Sequence, residues 1–562
     1  MTVPDIETAT RLPPLYYLHN FRLALTMLSE RYAGLLRDEE VAFIKRFEVL
    51  PQPAQCLLTR LAMRKGALFQ RATLQYTEVA DFDGALQALV AVGWLDVDPL
   101  LCADDLSRVL NAEELRLALG IRGGQRAYVR HPAPRQFQLT LPLQEQPTLR
   151  RSLAQWNPRL AGRVVHFGVD GLIRRLQWLF FGNHYQTWAE FVLTDLGVKR
   201  YERVVIDTDA RAFQTRGEIT DFFRLNECRE ALEAGQPVSA IHESAFVPQA
   251  CGGWLRSRFI QLQVRIGEAL EAEGNAQLAL RCYREGGAVE GLLRAVRLQQ
   301  RQGLHEEAHA DVLAAQQLPC SEAQQEALER AMARIRRRQG GMPERRPAAD
   351  QHRAEAIELV LPRLEERKRV ELTVLEHLSQ PGSRVFYVEN SLVTSLFGLL
   401  CWDALFYPVP GAFFHPFQTA PADLYTSEFR ERRAPRLRSL LALLDTGEHE
   451  AVIWRVYREK ADIFNNFVRW RRLRPALLRL ALQCIPALHL KLCFERLLDD
   501  LQGNATGMPD LVQFWPAERR YRLIEVKGPG DRLQDNQRRW MKFFTRHAIP
   551  AAVCQVRWET DA

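Results

Sequence analysis

Apolar positions along this chain recur mostly at helical spacing. Over residues 15–65, Tyr32, Leu35-Leu36, Leu57-Leu58 and Leu61 fall between charged positions, which predicts amphipathic helices. Phe82, Leu86, Leu89-Val90 and Trp94-Leu95 make a further apolar face, and Leu106, Leu110, Leu115 and Leu119 another. Between 255 and 335 the pattern repeats. Leu270-x3-Gly274-x4-Ala279 returns as Gln299-x3-Gly303-x4-Ala308, a shift of 29 (303 − 274). Paired helices with a small residue at the crossing are the signature of tetratricopeptide-like arrays. Residues 336–353, rich in Arg, Gly and Pro, read as a loop or linker.

Near the C-terminus the period shortens. Leu511-Val512-Gln513-Phe514 and Tyr521 to Lys527 read as two strands, with Pro516-Ala517-Glu518-Arg519 as the turn between them and a helix following over 533–546. Upstream, Leu392, Leu396, Leu399 and Leu400 predict a helix whose stripe, extended backward, passes close to Glu389. The apolar run from Leu392 to Phe414 is broken by Trp402-Asp403, Pro408 and Pro410, so it reads as core rather than membrane span. Asp423 to Arg474 reads as a helical insertion full of arginines.

The predicted hairpin carries chemistry. Its first strand follows Pro509-Asp510 and its second ends Glu525-Val526-Lys527, the PD…ExK order of a large class of metal-dependent nucleases. With the turn centred between Ala517 and Glu518, Asp510 lies directly across from Glu525, and cross-strand partners stand with Cβ atoms roughly 5 Å apart. Lys527, two residues on, points to the same face. Two carboxylates and an ammonium then converge, and hard oxygen ligands suit Mg2+ or Mn2+, one ion or two. Each half alone also fits a turn aspartate or a solvated ion pair; the order and spacing together favour the site. Glu389 has two readings: a carboxylate on an apolar stripe, which must be paired, protonated or metal-bound, or a helix-start glutamate facing water.

Composition changes the picture little. The 562 residues suffice for three or four domains, and 47% hydrophobic with 25% charged residues is an ordinary globular balance. Net charge is +7 with pI about 8.9, and only 8 of the 75 basic residues are lysine. Arginine forks onto phosphate and stacks on bases, although a GC-rich coding sequence gives the same bias. Candidate phosphate contacts are Arg60, Arg64, Lys65 and Arg71 after the first helices, and Arg174, Arg175, Lys199 and Arg200 among interleaved aromatics; solvated arginines around a buried aromatic core are the alternative. Within that region Trp178-Leu179-Phe180-Phe181 reads as core. Ten scattered cysteines without CxxC exclude structural zinc and a disulfide framework. Together with an N-terminus lacking a basic-then-apolar segment, they lead us to expect a cytoplasmic protein without a membrane anchor. No Gly-Lys-Ser/Thr follows the Gly120–Gly124 turn, which excludes a nucleotide-binding P-loop.

A family resemblance rests on named residues. Gly507-Met508-Pro509-Asp510-Leu511-Val512, then Ile524 through Leu533, then Gln537 and Trp540, resembles the VRR-NUC nuclease module. More narrowly, it resembles the C-terminal domain of the Fanconi-associated nucleases and their bacterial homologues. Glu389 followed by Phe397-Gly398-Leu399-Leu400-Cys401-Trp402-Asp403 agrees with that family. The resemblance implies that Glu389 and the Val526 carbonyl join Asp510 and Glu525 as metal ligands. Lys527 then acts on the attacking water or the transition-state charge, with Gln537 orienting Lys527 or that water. It also implies a SAP-type DNA-binding element, which Asn111 to Gly124 resembles, and cleavage of 5′ flap, branched or nicked DNA. Some 5′-to-3′ exonuclease action and a role in interstrand crosslink repair come with it.

The expected fold class is therefore mainly α and multidomain. An N-terminal helical domain (1–69), a SAP-like DNA-binding region (70–254) and tetratricopeptide-like repeats with a linker (255–353) precede an α/β restriction-endonuclease-like domain of the PD-(D/E)xK type (354–562). Two other functions stay open at this point. One is a Holliday-junction resolvase or restriction-like endonuclease. The other is a non-catalytic helical-repeat DNA-binding scaffold, against which the intact acidic residues and Lys527 argue.

Overall fold

The computed structural model describes residues 15–120, 149–190, 200–207, 209–244, 253–339, 355–362, 369–416 and 418–559. Lys199 and the last four residues of the SAP-like segment, 121–124, lie outside the described residues. The chain divides into two compact units, residues 1–199 and 200–562.

In the first unit, α1 (Tyr16–Arg31), α2 (Asp38–Val49) and α3 (Gln52–Ala62) form, and α3 buries Leu57, Leu58 and Leu61 as expected, whereas Tyr32 and the half-buried Leu35-Leu36 lie in the turn after α1 rather than on a helix. Phe21, Phe47, Phe180, Phe181 and Trp188 are almost fully buried, with Phe21 and Trp188 rings 5.0 Å apart. A small antiparallel sheet was not expected: β1 (Leu68–Gln70) and β2 (Leu95–Asp96) flank β3 (Val164–Phe167). Strands of two to four residues are too short to leave a period-2 signature in sequence. The helix α4 (Ala112–Ala118) begins at Asn111, whose side chain accepts from the Glu113 and Glu114 amides while Glu114 reaches back, a capping box.

In the second unit, four helices form the repeat: α5 (Gly253–Ala272), α6 (Ala276–Glu285), α7 (Val289–Gln302) and α8 (His305–Gln316). Gly274 and Gly303 turn the chain at the equivalent place in each pair, at φ +84° and +80°, where a side chain would be strained. Ala279 and Ala308 are completely buried at the crossings. A fifth helix, α9 (Glu322–Arg338), continues through Arg336-Arg337-Arg338, so the expected linker starts at least three residues late. The three arginines extend the helix because cations suit its C-terminal end.

The C-terminal region is built on a five-stranded sheet. In spatial order it runs β4 (Glu355–Leu361), β8 (Ala551–Trp558), β7 (Arg520–Lys527), β6 (Leu511–Trp515) and β5 (Arg384–Tyr387). The β4–β8 and β8–β7 pairs are parallel; the β7–β6 and β6–β5 pairs are antiparallel. Alternate residues of β7 serve two cores. Ile524 and Val526 pack with Val374 of α10 (Val370–Leu378) on one face; Tyr521 and Leu523 pack on the other, with α11 (Leu392–Leu400) and with Trp540 and Phe544 of α15 (Asp535–Arg546). Both faces being covered, β7 is buried from Leu523 to Lys527, including the charged Glu525 and Lys527. The insertion is helical, with α12 (Ala434–Thr446) and α13 (His449–Glu459), and α14 (Pro475–Cys484) follows it. The repeat helix α9 is tied to α15 by Arg330–Asp535 and Arg539–Glu326, each at 3.1 Å. Among the described residues no single helix is long and apolar enough to cross a membrane, and Leu392 to Leu400 is core. The fold is mainly α with a C-terminal α/β domain.

Candidate active site

The β6–β7 register pairs Leu511 with Ile524 and Val512 with Leu523. One further step sets Asp510 across from Glu525, as a turn centred between Ala517 and Glu518 requires. That turn is a short 3-10 helix, Pro516–Glu518, closed by Arg519 at φ +49°. Asp510 joins three segments. Its Oδ2 accepts from the Val526 amide at 3.0 Å, and its backbone carbonyl accepts from the Val388 and Glu389 amides at 2.8 and 3.1 Å.

Glu389 therefore sits beside Asp510, but not on a helix. It lies in the turn between β5 and α11. The apolar stripe of α11 did not extend to it because the backbone turns there, with Asn390 at φ +51° and its side-chain oxygen accepting from the Met508 amide at 2.9 Å. The Tyr387 hydroxyl donates to Glu389 Oε2. Arg472 Nη1 donates to the Glu389 carbonyl at 3.4 Å, and its guanidinium lies 5.3 Å from the Tyr387 ring centre.

On the strand side, Lys527 Nζ stands 2.7 Å from Glu525 Oε1 and donates to Gln537 Oε1 at 3.0 Å. Gln537 Nε2 donates to the same Glu525 oxygen at 2.6 Å. The orientation of Gln537 is set by the start of α15, since its Oε1 also accepts from the Gln534 amide.

The electrostatics are strained. Glu525 is 1% exposed and Lys527 8%, yet Glu525 Oε2 is buried with no hydrogen-bond partner. Burial first, then the neighbouring Asp510, pushes the Glu525 carboxyl up to about 7 against the pull of Lys527. Burial likewise raises Asp510 to about 6; the Val526 amide opposes it, and Glu371 and Glu389 add repulsion. Burial and then Glu389 push the Tyr387 hydroxyl up to about 12. Among the described residues, no three His, Cys, Asp or Glu side chains are gathered so that they could hold a metal ion; each carboxylate is held by its own partner instead. The orphaned Glu525 oxygen amid mutually repelling carboxylates is nevertheless the environment that a cation relieves, so the donor set fits a hard divalent ion.

Pattern reading missed Glu371, Tyr387 and Arg472. Tyr387 was within reach, because residues two apart on a strand share a face. Glu371 and Arg472 come from an unconnected helix start and a distant loop. Most of the candidate phosphate contacts already have partners. Arg60 pairs with Glu78 and covers the Tyr17 ring at 3.9 Å; Arg71 pairs with Asp83 at 2.8 Å, and Arg175 with Glu39 at 3.2 Å. Arg64 is exposed and bonds Thr73 at 3.0 Å, Lys65 is exposed, and Arg174 lies 5.6 Å from the Trp178 ring centre. Arg200 Nη1 bonds the Ala461 carbonyl at 3.2 Å. Three of them are already matched by carboxylates, and Arg200 serves a backbone contact.

A mixed sheet bearing Asp510, Glu525 and Lys527 at the ends of a buried hairpin defines a nuclease of the PD-(D/E)xK class. The chain belongs to the Fanconi-associated nuclease family. It is 42% identical over 548 residues to the Fanconi-associated nuclease 1 homolog of Pseudomonas aeruginosa, covering 98% of this chain and 97% of that one. The Arabidopsis thaliana homolog is 26% identical over 98% of this chain and 68% of its own length. The VRR-NUC domain family matches residues 445–558, and the FAN1 HTH domain family residues 15–96. Among solved structures, paFAN1 bound to a 2-nucleotide 5′ flap DNA with gap matches all of both chains at TM-score 0.85 and 40% identity.

Proposed function

We propose that this chain is a structure-selective DNA nuclease that cleaves near a 5′ flap in a divalent-metal-dependent reaction. The observation that carries the chemistry is the buried, unpartnered Glu525 oxygen beside Asp510 and the Lys527–Gln537 pair. The substrate class is supported by the likeness to paFAN1, whose solved complex holds a 5′ flap DNA.

In this reading Glu389, Asp510, Glu525 and the Val526 carbonyl hold Mg2+ or Mn2+, one ion or two. When bound, such an ion polarises the scissile phosphate and eases deprotonation of water. The protein's own part is positional and electrostatic. The Val526 amide fixes Asp510, and Tyr387 fixes Glu389. Lys527 donates a hydrogen bond to the attacking water or to charge building on the phosphate, and Gln537 holds its ammonium in place. Glu371, on α10, adds negative potential at Asp510.

The remaining roles follow from the same reading. Residues 1–69 and 70–254, with Arg60, Arg64, Lys65, Arg71, Arg174, Arg175, Lys199 and Arg200 as the candidate phosphate contacts, engage the duplex. Residues 255–353 brace the nuclease domain 354–562 through α9 and α15. The protein works in the cytoplasm on chromosomal DNA, in interstrand crosslink repair, with 5′-to-3′ exonuclease action.

The test compares wild type with Asp510→Ala on labelled 5′ flap, nicked, Holliday-junction and plain duplex DNA, with Mg2+, Mn2+ or chelator. We expect the flap to be preferred, cleavage to vanish in the variant and in chelator, and DNA affinity to survive. Cleavage that persists in Asp510→Ala sinks the site, and symmetric cutting of the Holliday junction redirects the substrate to a resolvase.

A further inference from the structure

The loop between α13 and α14 carries four arginines in six residues: Arg469, Arg471, Arg472 and Arg474, all exposed. Among the described residues, none of them forms an ion pair with a carboxylate. Several arginines elsewhere are matched by acids such as Glu78, Asp83, Glu322 and Asp535.

The loop is nonetheless firmly held. Phe467, Val468 and Leu473 are buried, and Gly398 of α11 leaves the room that Val468 and Phe467 fill. The Arg469 amide donates to Ser395 Oγ at 3.0 Å, Trp470 Nε1 to the Ile463 carbonyl at 2.7 Å, and the Tyr457 hydroxyl to the Leu473 carbonyl at 2.9 Å. Side chains that alternate between anchoring inward and pointing outward make a fixed platform for the guanidinium groups, so little ordering cost is left for binding. The platform also adjoins the site. Arg472 spends one of its five N–H donors on the Glu389 carbonyl, and the others are free for a ligand.

We propose that Arg469, Arg471, Arg472 and Arg474 form a phosphate-binding rim for the DNA strand being cut, with Arg472 at its inner edge gripping a phosphate next to the scissile one. The inference rests on the nuclease reading of Glu389, Asp510 and Glu525. Its chemistry is that of a polyanion: clustered, uncompensated guanidinium groups suit successive backbone phosphates and read no bases. A strand laid along the rim is led to the carboxylates. These would repel it, and the rim supplies opposing charge beside them.

The experiment uses the full chain and a fluorescent 5′ flap DNA. Binding is measured in chelator across a salt series, and cleavage by single turnover at saturating protein. The variants are Arg472→Ala, Arg472→Lys and the triple Arg469→Ala/Arg471→Ala/Arg474→Ala, with Asp510→Asn as reference and thermal melts to confirm folding. For the triple variant we expect a Kd roughly tenfold higher and a salt slope reduced by about 2–3, near 0.9 per lost phosphate contact, with the bound complex cut at the wild-type rate. Arg472→Ala should lose about one contact and also cut roughly tenfold more slowly once bound; Arg472→Lys should restore the slope but only part of the rate. Unchanged affinity and slope in folded variants overturn the proposal, and leave the rim to an acidic protein partner. If Asp510→Asn is inactive while the arginine variants bind as wild type, the rim falls alone. If Asp510→Asn still cleaves, the nuclease site falls first.

Discussion

Replacing Glu525 by glutamine should stabilise the protein while abolishing its activity. The carboxyl is 1% exposed, one of its oxygens has no partner, and burial with Asp510 nearby raises it from 4.5 to about 7. A raised native value means that the folded state holds the proton more tightly than the unfolded chain. Stability is then fully present below pH 4.5 and declines as pH rises through about 7. At 1.36 kcal/mol per unit, ionising Glu525 at pH 8.5 costs the metal-free fold about 3 kcal/mol. An amide removes that cost and part of the repulsion on Asp510, but it loses the attraction to Lys527. A net gain of about 1–3 kcal/mol is expected, or a rise in Tm of a few degrees. At pH 5, where wild-type Glu525 carries its proton, the two proteins should melt within about a degree of each other. Thermal melts in chelator at pH 5 and 8.5, beside a cleavage assay with metal, make the measurement. A variant that melts below wild type at pH 8.5, or a gap equally wide at pH 5, refutes the argument that buried ionisation strains this site.

Two further outcomes follow from the same geometry. Mg2+ or Mn2+ at about a hundred times its Kd should raise the stability of wild type by about 2.7 kcal/mol, seen as a higher Tm that Asp510→Asn does not show; an equal rise in both proteins excludes Asp510 as a ligand. Gly507 holds φ +84°, and a Cβ there would lie 2.8 Å from the Asn536 backbone. Gly507→Ala should therefore cost about 1–3 kcal/mol, shift Pro509-Asp510 relative to α15 and slow cleavage; a variant as stable and as active as wild type removes that constraint.

Legibility in the sequence followed the range of the interactions. The hairpin was readable because both strands, their turn and the partners Asp510 and Glu525 lie within 18 residues (510–527), and a period of two fixes which side chains share a face. The helical repeat was readable because its period recurs, and the glycines at 274 and 303 mark the same turn in each pair. The short strands of the first unit were not, since two or three residues carry no period. The helix expected to bear Glu389 gave way to a turn whose amide is held by the Asp510 carbonyl, a bond across more than a hundred residues.

Sequence alone thus determined the reaction class: the order Pro509-Asp510, Glu525-x-Lys527 is local, and local spacing on a strand dictates convergence. Tertiary structure decided the rest of the site. Tyr387, Glu371 and Arg472 reach it through sheet pairing, helix packing and an inserted loop, and the Lys527–Gln537–Glu525 contacts depend on where α15 begins. Burial decided the protonation of the carboxylates, because desolvation depends on what the rest of the chain places above a residue, and no local pattern records that.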